Sequence, residues 1–296
     1  MEKSPITEAS NPRTKLLDAL SSFELVGLLA EESVDAARSV ARVQAELGLV
    51  VDRLVQRCRE GGRVHYFGAG TSGRLGVLDA AEIPPTFGAP PSMFCAHIAG
   101  GDMALRHAVE GAEDDADAGA LAVRACVRVP DALVAISASG GAPYVLEAIR
   151  VARSLGAYTV ALTSVASSEI ARLAENCIVL ETGAEPLTGS TRMLAGAAQK
   201  IALATLSTSV MVRLGYVYEN LMVGVVPTNA KLRRRAVRLV ELVAGVGPER
   251  AAQVLAEANG SVKLAIVIAR RNLACTDAQE HLTRHGGNLR AALDAT

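Results

Sequence analysis

The 296-residue sequence contains no tryptophan, and aromatic residues make up only 3% of it. Proteins that bind single-stranded nucleic acids stack bases on aromatic side chains, so this scarcity disfavours that class of partner. The sequence also lacks an excess of charge, since 30 basic and 31 acidic residues leave a formal net charge of -1. Without a global positive field we expect neither nucleic acid nor membrane as a partner, and any anion must be bound locally.

Cysteines are few, and their spacing is uninformative. The five thiols form no CxxC pair, and the five histidines have no acidic or thiol neighbour in metal-ligating spacing. We therefore expect reduced cysteines and no metal site. The N-terminal sequence lacks the apolar stretch of a signal peptide, and no run of about 18 apolar residues occurs elsewhere, which predicts a cytoplasmic protein.

The order of helix-like and strand-like patterns indicates an α/β fold. Apolar residues at helical spacing predict two helices within residues 22–59, and five short β-favouring runs then alternate with helical segments. This alternation predicts a doubly wound, five-stranded parallel sheet. We expect an N-terminal helical arm (1–60), an α/β domain (61–225) and a small all-helical module (226–296). The predicted strands are Arg63–Phe67, Ser92–Ile98, Ala132–Ile136, Tyr158–Leu162 and Cys177–Leu180.

In such sheets ligands bind outside the carboxyl ends of the strands, and the first loop there, Gly68–Gly73, fits the pattern GxGxxG. A dinucleotide site also needs an acidic residue at the end of the second strand, and 96–100 reads AHIAG without one, so we do not expect a nicotinamide cofactor. Gly70, Thr71, Ser72 and Gly73 instead offer hydroxyls and backbone N–H groups at a helix start, a combination that binds phosphate. The alternative is that they only form a tight turn and cap the helix.

The same hydroxyl-rich pattern recurs twice. Ser137, Ser139 and Gly140 follow the third strand, and a segment with two threonines, a serine and an arginine precedes a long helical pattern within 190–214. Three such loops at one sheet edge predict a binding site for a sugar carrying one phosphate, to which Arg192 or Lys200 could add charge. The residues of the third loop are Thr188, Ser190, Thr191 and Arg192.

Longer motifs strengthen this interpretation. They resemble the N-acetylmuramic acid 6-phosphate etherases, a family within the sugar-isomerase-domain proteins, and the resemblance extends from ITEASNP near the start to HGGNLRAAL near the end. The motifs are GAGTSGRLGVLDAAEIPPTFG (68–88), IAGGDMALRHAVEGAEDD (98–115), SASG (137–140) and TGSTRM (188–193).

The resemblance implies cleavage of the D-lactyl ether of N-acetylmuramic acid 6-phosphate, to N-acetylglucosamine 6-phosphate and D-lactate, in cell-wall sugar recycling or catabolism. It implies a reaction without a cofactor, in a homodimer. Glu82 matches the family's general acid and Glu113 its base. Leu194 departs from the pattern, since a lysine commonly follows TGSTRM in the family.

Other interpretations remain open. Glu82 also suits a solvated residue near the end of a helix stopped by Pro84 and Pro85, and Glu113 lies in an acidic run of the kind that usually forms a solvated surface. An aldose–ketose sugar-phosphate isomerase, or a sugar-phosphate sensor without turnover, would carry similar binding loops. A basic run within 231–238 is more typical of a solvated face or a subunit contact than of a nucleic-acid site. His65 and His97 lie in or beside apolar strands and suggest packing roles.

Overall fold

The computed structural model describes residues 5–227 and 229–295. These residues form two compact units. The first contains the chain up to Ala80 together with Ser92–Ser207, and the second contains Ala81–Pro91 together with the chain from Thr208 onward. Each unit is built from two separate segments of the chain. The three consecutive domains expected from the sequence stay a prediction.

The first unit begins with helical structure, as its apolar periodicity predicts. Three short 3-10 helices (Ile6–Glu8, Pro12–Thr14 and Leu17–Ala19) precede helices α1 (Ser22–Arg42) and α2 (Gln44–Arg59). The start of α1 is fixed by a capping box, in which Ser21 accepts from the backbone N–H of Glu24 while the Glu24 carboxylate accepts from the backbone N–H of Ser21.

The central sheet confirms the predicted fold class. Its five strands are parallel, and they lie in the order β2-β1-β3-β4-β5. Each strand lies within two residues of its predicted position, because apolar runs bounded by glycine and polar residues leave little freedom in where a buried strand begins and ends. The strands are β1 (Val64–Gly68), β2 (Phe94–Ile98), β3 (Ala132–Ile136), β4 (Tyr158–Thr163) and β5 (Asn176–Val179).

Helices cover both faces of this sheet, which makes it doubly wound. On one face Phe67, Leu133 and Ala135 share a buried cluster with residues of α5 and α6. On the other face Tyr66 donates a hydrogen bond to Asp79 of α3, and Ser207 of α8 donates to the same carboxylate. The remaining helices follow in chain order: α3 (Gly70–Phe87), α4 (Met103–Arg106), α5 (Ala116–Cys126), α6 (Pro143–Ser154), α7 (Glu169–Leu173) and α8 (Leu194–Arg213).

The second unit has a core of its own, built from the C-terminal helices. Buried residues such as Val240, Val254 and Ile266 lie at its centre. The predicted basic helix and four shorter helices are all present, and a small antiparallel hairpin of β6 (Val217–Tyr218) and β7 (Leu221–Met222) precedes them. The helices are α9 (Ala230–Ala244), α10 (Pro248–Glu257), α11 (Val262–Arg271), α12 (Cys275–Arg284) and α13 (Leu289–Asp294).

Two sequence features of this unit can be placed. The basic run lies on α9, whose opposite face buries Ala236 and Val240, and all five of its cations are exposed: Lys231, Arg233, Arg234, Arg235 and Arg238. Among the described residues no single helix has the length and hydropathy of a membrane span, and only α10 and α11 taken together, with a bend of 116°, meet both criteria.

Candidate functional site

The strand order locates the ligand crevice of the first unit. From β1 the chain continues to β2 on one side, and β3 lies on the other side of β1, so the order reverses between β1 and β3. Open parallel sheets bind ligands at such a switch point, outside the carboxyl ends of the strands. The loops that follow β1 and β3 are Gly68–Gly73 and Ser137–Gly141, the first two of the three predicted phosphate loops.

The loop after β1 is a close-packed turn with a partly accessible rim. A Cβ on Gly73 would lie 2.6 Å from Ile98 Cγ1 and 2.7 Å from the Gly68 carbonyl oxygen. Only glycine at this position therefore allows the first turn of α3 to pack so closely against the end of β1. Ser72 is buried and donates to Gln199 Oε1 of α8 at 2.9 Å. Gly70 is exposed and Thr71 is half-buried. Ser72 therefore anchors the loop to α8, whereas Gly70 and Thr71 face the crevice rim.

The loop after β3 divides its two serines in the same way. The buried Ser137 accepts a hydrogen bond from the backbone N–H of Gly140 at 3.1 Å, which holds the turn, while Ser139 is exposed. Gly140 has a φ of +73°, and a Cβ there would lie 2.4 Å from Ser168 Cβ. Helix α6 starts directly after this loop with Pro143 in its first turn and no side-chain cap. Pro143 has no N–H, and the N–H groups of Val145 and Leu146 donate to the Ala142 carbonyl oxygen, so the start of α6 offers an anion the Tyr144 N–H beside the exposed Ser139 hydroxyl.

The third predicted loop adjoins a helix start that is already satisfied. Glu185 is fully buried, and its carboxylate accepts from the backbone N–H groups of Leu194 and Ala195 at 2.9 and 2.8 Å. Burial raises the pKa of this carboxyl, against the opposing effect of the backbone N–H groups at the start of α8. Thr188 and Arg192 are exposed. The first N–H groups of α8 are therefore bound by Glu185, a residue outside the three hydroxyl-rich loops.

Helix α8 brings the first and third loops together. A Cβ on Gly196 would lie 3.3 Å from both Thr71 Cγ2 and the Thr191 carbonyl oxygen, so these two loops contact the same turn of α8. Ser190 and Thr191 are half-buried. Leu194, which stands where the family commonly has lysine, is only 1% exposed and packs into the core.

Glu82 lies on α3, in the part of that helix that belongs to the second unit. Its side chain is exposed. The expectation that Pro84 and Pro85 stop the helix is wrong, because α3 continues through both prolines to Phe87. Adjacent prolines remove two N–H donors, and the helix tolerates this near its end, where Gly88 still donates to the Pro84 carbonyl oxygen at 2.8 Å.

Glu113 lies in the first unit, in a 3-10 helix spanning Ala112–Asp114, and is exposed. Gly111 and Ala112, which precede it, line a cavity of about 710 Å³. Gly100, Gly101 and Asp102, the loop after β2, form another wall of this cavity. The acidic run is therefore not only a solvated surface, since Glu110 and Asp115 border a space large enough for a small ligand.

A further group of polar side chains lies on the sheet itself. His65 Nδ1 is 3.1 Å from His97 Nε2, and Cys126 Sγ is 3.5 Å from the same His97 nitrogen. On the other side of His65, Nε2 lies 3.3 Å from Asp131 Oδ2. His65 is completely buried, as its position in an apolar strand predicts. The sequence predicted no metal-ligating group, yet His65, His97 and Cys126 can offer ligand atoms that lie within 4.8 Å of one another.

Burial sets the protonation of this group. It lowers the pKa of His65 to about 4 and also lowers that of His97, so both rings are neutral at pH 7. For Asp131 burial acts in the opposite direction, but hydrogen bonds from Arg63 and from the Arg128 backbone hold its pKa below the ordinary value. The carboxylate of Asp131 is thus ionised beside a neutral His65.

Family models match two overlapping parts of the chain. The model described as the N-terminal SIS domain of glucokinase regulatory protein matches residues 46–153, and the model described as the SIS domain matches residues 116–209. A solved phosphoheptose isomerase from Francisella tularensis is similar with a TM-score of 0.54 and 18% sequence identity. The match covers 65% of this chain and 100% of the isomerase chain. These likenesses agree with the five-stranded fold.

Curated relatives are similar over almost the full length. An N-acetylmuramic acid 6-phosphate etherase of Actinobacillus pleuropneumoniae serotype 5b is 44% identical over 289 residues, which cover 97% of this chain and 95% of the relative. A protein of the same name from Deinococcus radiodurans is 46% identical over 288 residues, covering 97% of this chain and 94% of the relative.

Proposed function

The chain belongs to the N-acetylmuramic acid 6-phosphate etherases, and we propose how its own residues carry the reaction of that family. The protein is a carbon–oxygen lyase that cleaves the D-lactyl ether of N-acetylmuramic acid 6-phosphate, giving N-acetylglucosamine 6-phosphate and D-lactate. The observation that supports a phosphosugar site most directly is the switch point, where the exposed Ser139 stands beside the uncapped start of α6.

The chemistry requires an acid and a base. An unactivated alkyl ether resists hydrolysis, but it becomes labile when it lies β to a carbonyl, and opening of the sugar ring supplies that carbonyl at C1. A base then removes the C2 proton while an acid protonates the departing lactate oxygen. The C3–O bond breaks, leaving a conjugated enal, and water adds to C3. Two carboxyl groups with opposite starting protonation are sufficient for these transfers.

Glu82 and Glu113 are the residues that we propose for these roles. Glu82 is the proton donor to the lactate oxygen, and Glu113 is the base at C2. Both side chains are exposed to solvent, and Glu113 lies in the segment that borders the 710 Å³ cavity of the first unit. Their assignment as acid and base rests on the family motifs, while the need for both rests on the chemistry.

We propose that two of the three loops bind the phosphate and that the third binds the sugar. We assign the phosphate to the two loops at the switch point, where Gly70, Thr71, Ser139 and the Tyr144 N–H at the start of α6 offer hydrogen bonds. Ser72, Gly73, Ser137 and Gly140 shape those two loops. In the third loop Thr188, Ser190, Thr191 and Arg192 contribute side chains to the sugar, because Glu185 already binds the backbone N–H groups there.

A homodimer is proposed on the basis of an exposed apolar surface. On α1, Phe23 is 89% exposed and Val26 is 67% exposed, one helical turn apart. Adjacent large apolar side chains in water are typical of a protein contact, and a second copy of this chain fits the family expectation. Equilibrium sedimentation of wild type and Phe23→Ser tests this: a dimer that dissociates in the variant is expected, and a monomeric wild type would refute it.

We also propose a cytoplasmic location, because phosphorylated sugars are found in the cytoplasm. Cell fractionation tests this proposal.

The function is tested by measuring D-lactate released from N-acetylmuramic acid 6-phosphate. Glu82→Gln and Glu113→Gln should each lower kcat by about a hundredfold or more, since each removes a proton-transfer group. Glu46→Gln, on an exposed part of α2, and Asp114→Asn, next to Glu113, are matched controls that should keep full activity. A folded wild type that forms a ketose phosphate instead of lactate would indicate the isomerase, and one that binds the sugar without turnover would indicate the sensor.

A further inference from the structure

Two strands and a helix of the first unit bring three potential metal ligands together. His65 lies on β1, His97 on β2, and Cys126 is the last residue of α5. The atoms that face one another are His65 Nδ1, His97 Nε2 and Cys126 Sγ, separated by 3.1 Å between the nitrogens and by 3.5 and 3.9 Å from the sulfur to His97 and His65. The etherase mechanism uses none of them.

We propose that His65, His97 and Cys126 form a binding site for one Zn²⁺ ion per chain. Tetrahedral zinc, with bonds of about 2.05 Å to nitrogen and 2.3 Å to sulfur, separates two nitrogen ligands by about 3.3 Å and a nitrogen from a sulfur by about 3.6 Å. The three separations in the structure differ from these edge lengths by about 0.4 Å or less. Small rotations of the side chains would therefore place the three ligand atoms at three of the four vertices of a tetrahedron.

The surroundings of His65 are those of a zinc-ligating histidine. Its other ring nitrogen, Nε2, lies 3.3 Å from Asp131 Oδ2, and Asp131 is only 2% exposed. Asp131 is itself held by the backbone N–H of Arg63 at 2.8 Å and by the Arg63 guanidinium at 2.9 Å. Ligating histidines usually donate their second N–H to a carboxylate, which leaves the other nitrogen as the ligand. His65 Nε2 makes no hydrogen bond in the structure, so a small rotation of the ring would be needed for it to donate to Asp131 and leave Nδ1 as the ligand.

A candidate fourth ligand, Cys95, lies on the same face of the sheet, but its side chain would have to rotate, because only His65, His97 and Cys126 have ligand atoms within 4.8 Å of one another among the described residues. Cys95 is the register partner of His65 and lies two residues before His97 on β2, so the three side chains project to one side. The thiols of Cys95 and Cys126 now lie 3.4 and 3.0 Å from the carbonyl oxygens of Ser92 and Ala122. On binding zinc both thiols lose their protons to solvent, and two thiolates with two neutral imidazoles form the N₂S₂ set that zinc favours.

An ion also has a route to this site. His97 lines the 710 Å³ cavity, and both His97 and Cys126 are partly exposed. The competing explanation is a chain of ordinary hydrogen bonds from Asp131 through the two histidines to the thiol, with no ion. That explanation accounts for the short distances, but it gives no role to the second thiol, Cys95, on the same face of the sheet as His65 and His97.

Cobalt titration distinguishes the two explanations. The full-length protein, treated with EDTA and dialysed, is titrated with Co²⁺ and followed by absorbance. We expect saturation at one equivalent, with the visible d–d bands of tetrahedral cobalt and a near-ultraviolet thiolate charge-transfer band, both lost when Zn²⁺ is added. Cys126→Ser should weaken Co²⁺ binding at least tenfold and reduce the charge-transfer band, whereas Cys177→Ser, a half-buried cysteine on β5, should behave as wild type.

Circular dichroism verifies that each variant is folded. If Cys126→Ser fails to fold, His97→Asn replaces it and should lose the same affinity. A wild type that takes up no stoichiometric Co²⁺, or a folded ligand variant with an unchanged spectrum and affinity, would overturn the proposal in favour of the hydrogen-bonded chain.

Discussion

Two helix starts in the first unit follow hydroxyl-rich loops, yet their chemistry differs. The start of α6, after Ser137–Gly141, has no side-chain cap and leaves Ser139 exposed. The start of α8, after Thr188–Arg192, is bound by the buried carboxylate of Glu185 through the N–H groups of Leu194 and Ala195. An anion can bind the first helix start, whereas at the second a protein carboxylate already does so.

A hydroxyl-rich loop before a helix is therefore not sufficient evidence of a phosphate site. Whether a helix start can bind phosphate depends on whether its backbone N–H groups already have an acceptor within the protein. At α6 the account predicts effects of mutation mainly on ligand affinity, and at α8 mainly on stability. The predictions below test this division.

Replacing Glu185 with alanine should have the largest effect on stability. The change leaves the N–H groups of Leu194 and Ala195 buried without an acceptor, at about 2 kcal/mol each, so we expect a loss of about 4 kcal/mol in the free energy of unfolding. Urea denaturation measures it. The matched control is Glu181→Ala, an exposed glutamate four residues earlier, which should change stability by less than about 0.5 kcal/mol. Equal effects at the two positions would remove the distinction between α8 and α6.

Gly140→Ala should destabilise the loop before α6 by about 2 to 3 kcal/mol. Its φ of +73° is costly for alanine, and the added Cβ would lie 2.4 Å from Ser168 Cβ. Gly141→Ala is the control, because a Cβ there meets nothing within 4 Å and the backbone is not left-handed. Thermal unfolding of both variants should separate them clearly. If Gly141→Ala were the more damaging change, the loop geometry described above would be wrong.

The serines at the start of α6 should separate stability from binding. Ser137→Ala removes the acceptor for the Gly140 N–H and should cost about 1 kcal/mol of stability. Ser139→Ala should leave stability unchanged and raise KM about tenfold, because a hydrogen bond to a charged phosphate is worth about 1.5 kcal/mol or more. Chemical denaturation and initial-rate kinetics on the two variants test this. A stability loss in Ser139→Ala without any change in KM would contradict it.

The smallest expected effect is a pH dependence at α8. Burial raises the pKa of Glu185, so the stability that this group contributes is fully present below the ordinary glutamate pKa of about 4.3 and is lost as pH rises through the folded-state value. Compared with Glu185→Gln, wild type should therefore lose stability as pH rises above the ordinary glutamate pKa of about 4.3 and through the raised folded-state pKa. The midpoint of thermal unfolding, measured for both proteins across this range, tests the sign. A growing advantage of wild type with rising pH would show that the backbone N–H groups outweigh burial.

Much of the fold was predictable because its signals are local. Buried strands read as apolar runs, and the C-terminal helices show helical periodicity, so both were placed from the sequence. The hairpin of β6 and β7 was missed because strands of two residues are too short to show an alternating pattern. The strand order was not predictable either, since pairing depends on contacts far apart along the chain.

The site was predictable only in part. Hydroxyl loops are visible as sequence, and Thr71, Ser139 and Thr188 were chosen for that reason. Glu185 was missed because its partners begin nine residues later, and only the folded loop turns its carboxylate back to α8. The group of His65, His97 and Cys126 was missed because its members are up to 61 residues apart. The alternation of side chains on β2, which sets Cys95 and His97 on one face, was the one available signal.

The central claim, that phosphate binds at the start of α6 rather than at the start of α8, is tested most directly by dissociation constants. These are measured for N-acetylglucosamine 6-phosphate and for N-acetylglucosamine, with wild type, Ser139→Ala and Thr188→Ala. The ratio of the two constants isolates the contribution of the phosphate. The account predicts that Ser139→Ala reduces this ratio about tenfold and that Thr188→Ala leaves it unchanged. A ratio reduced by Thr188→Ala and preserved in Ser139→Ala would contradict the account.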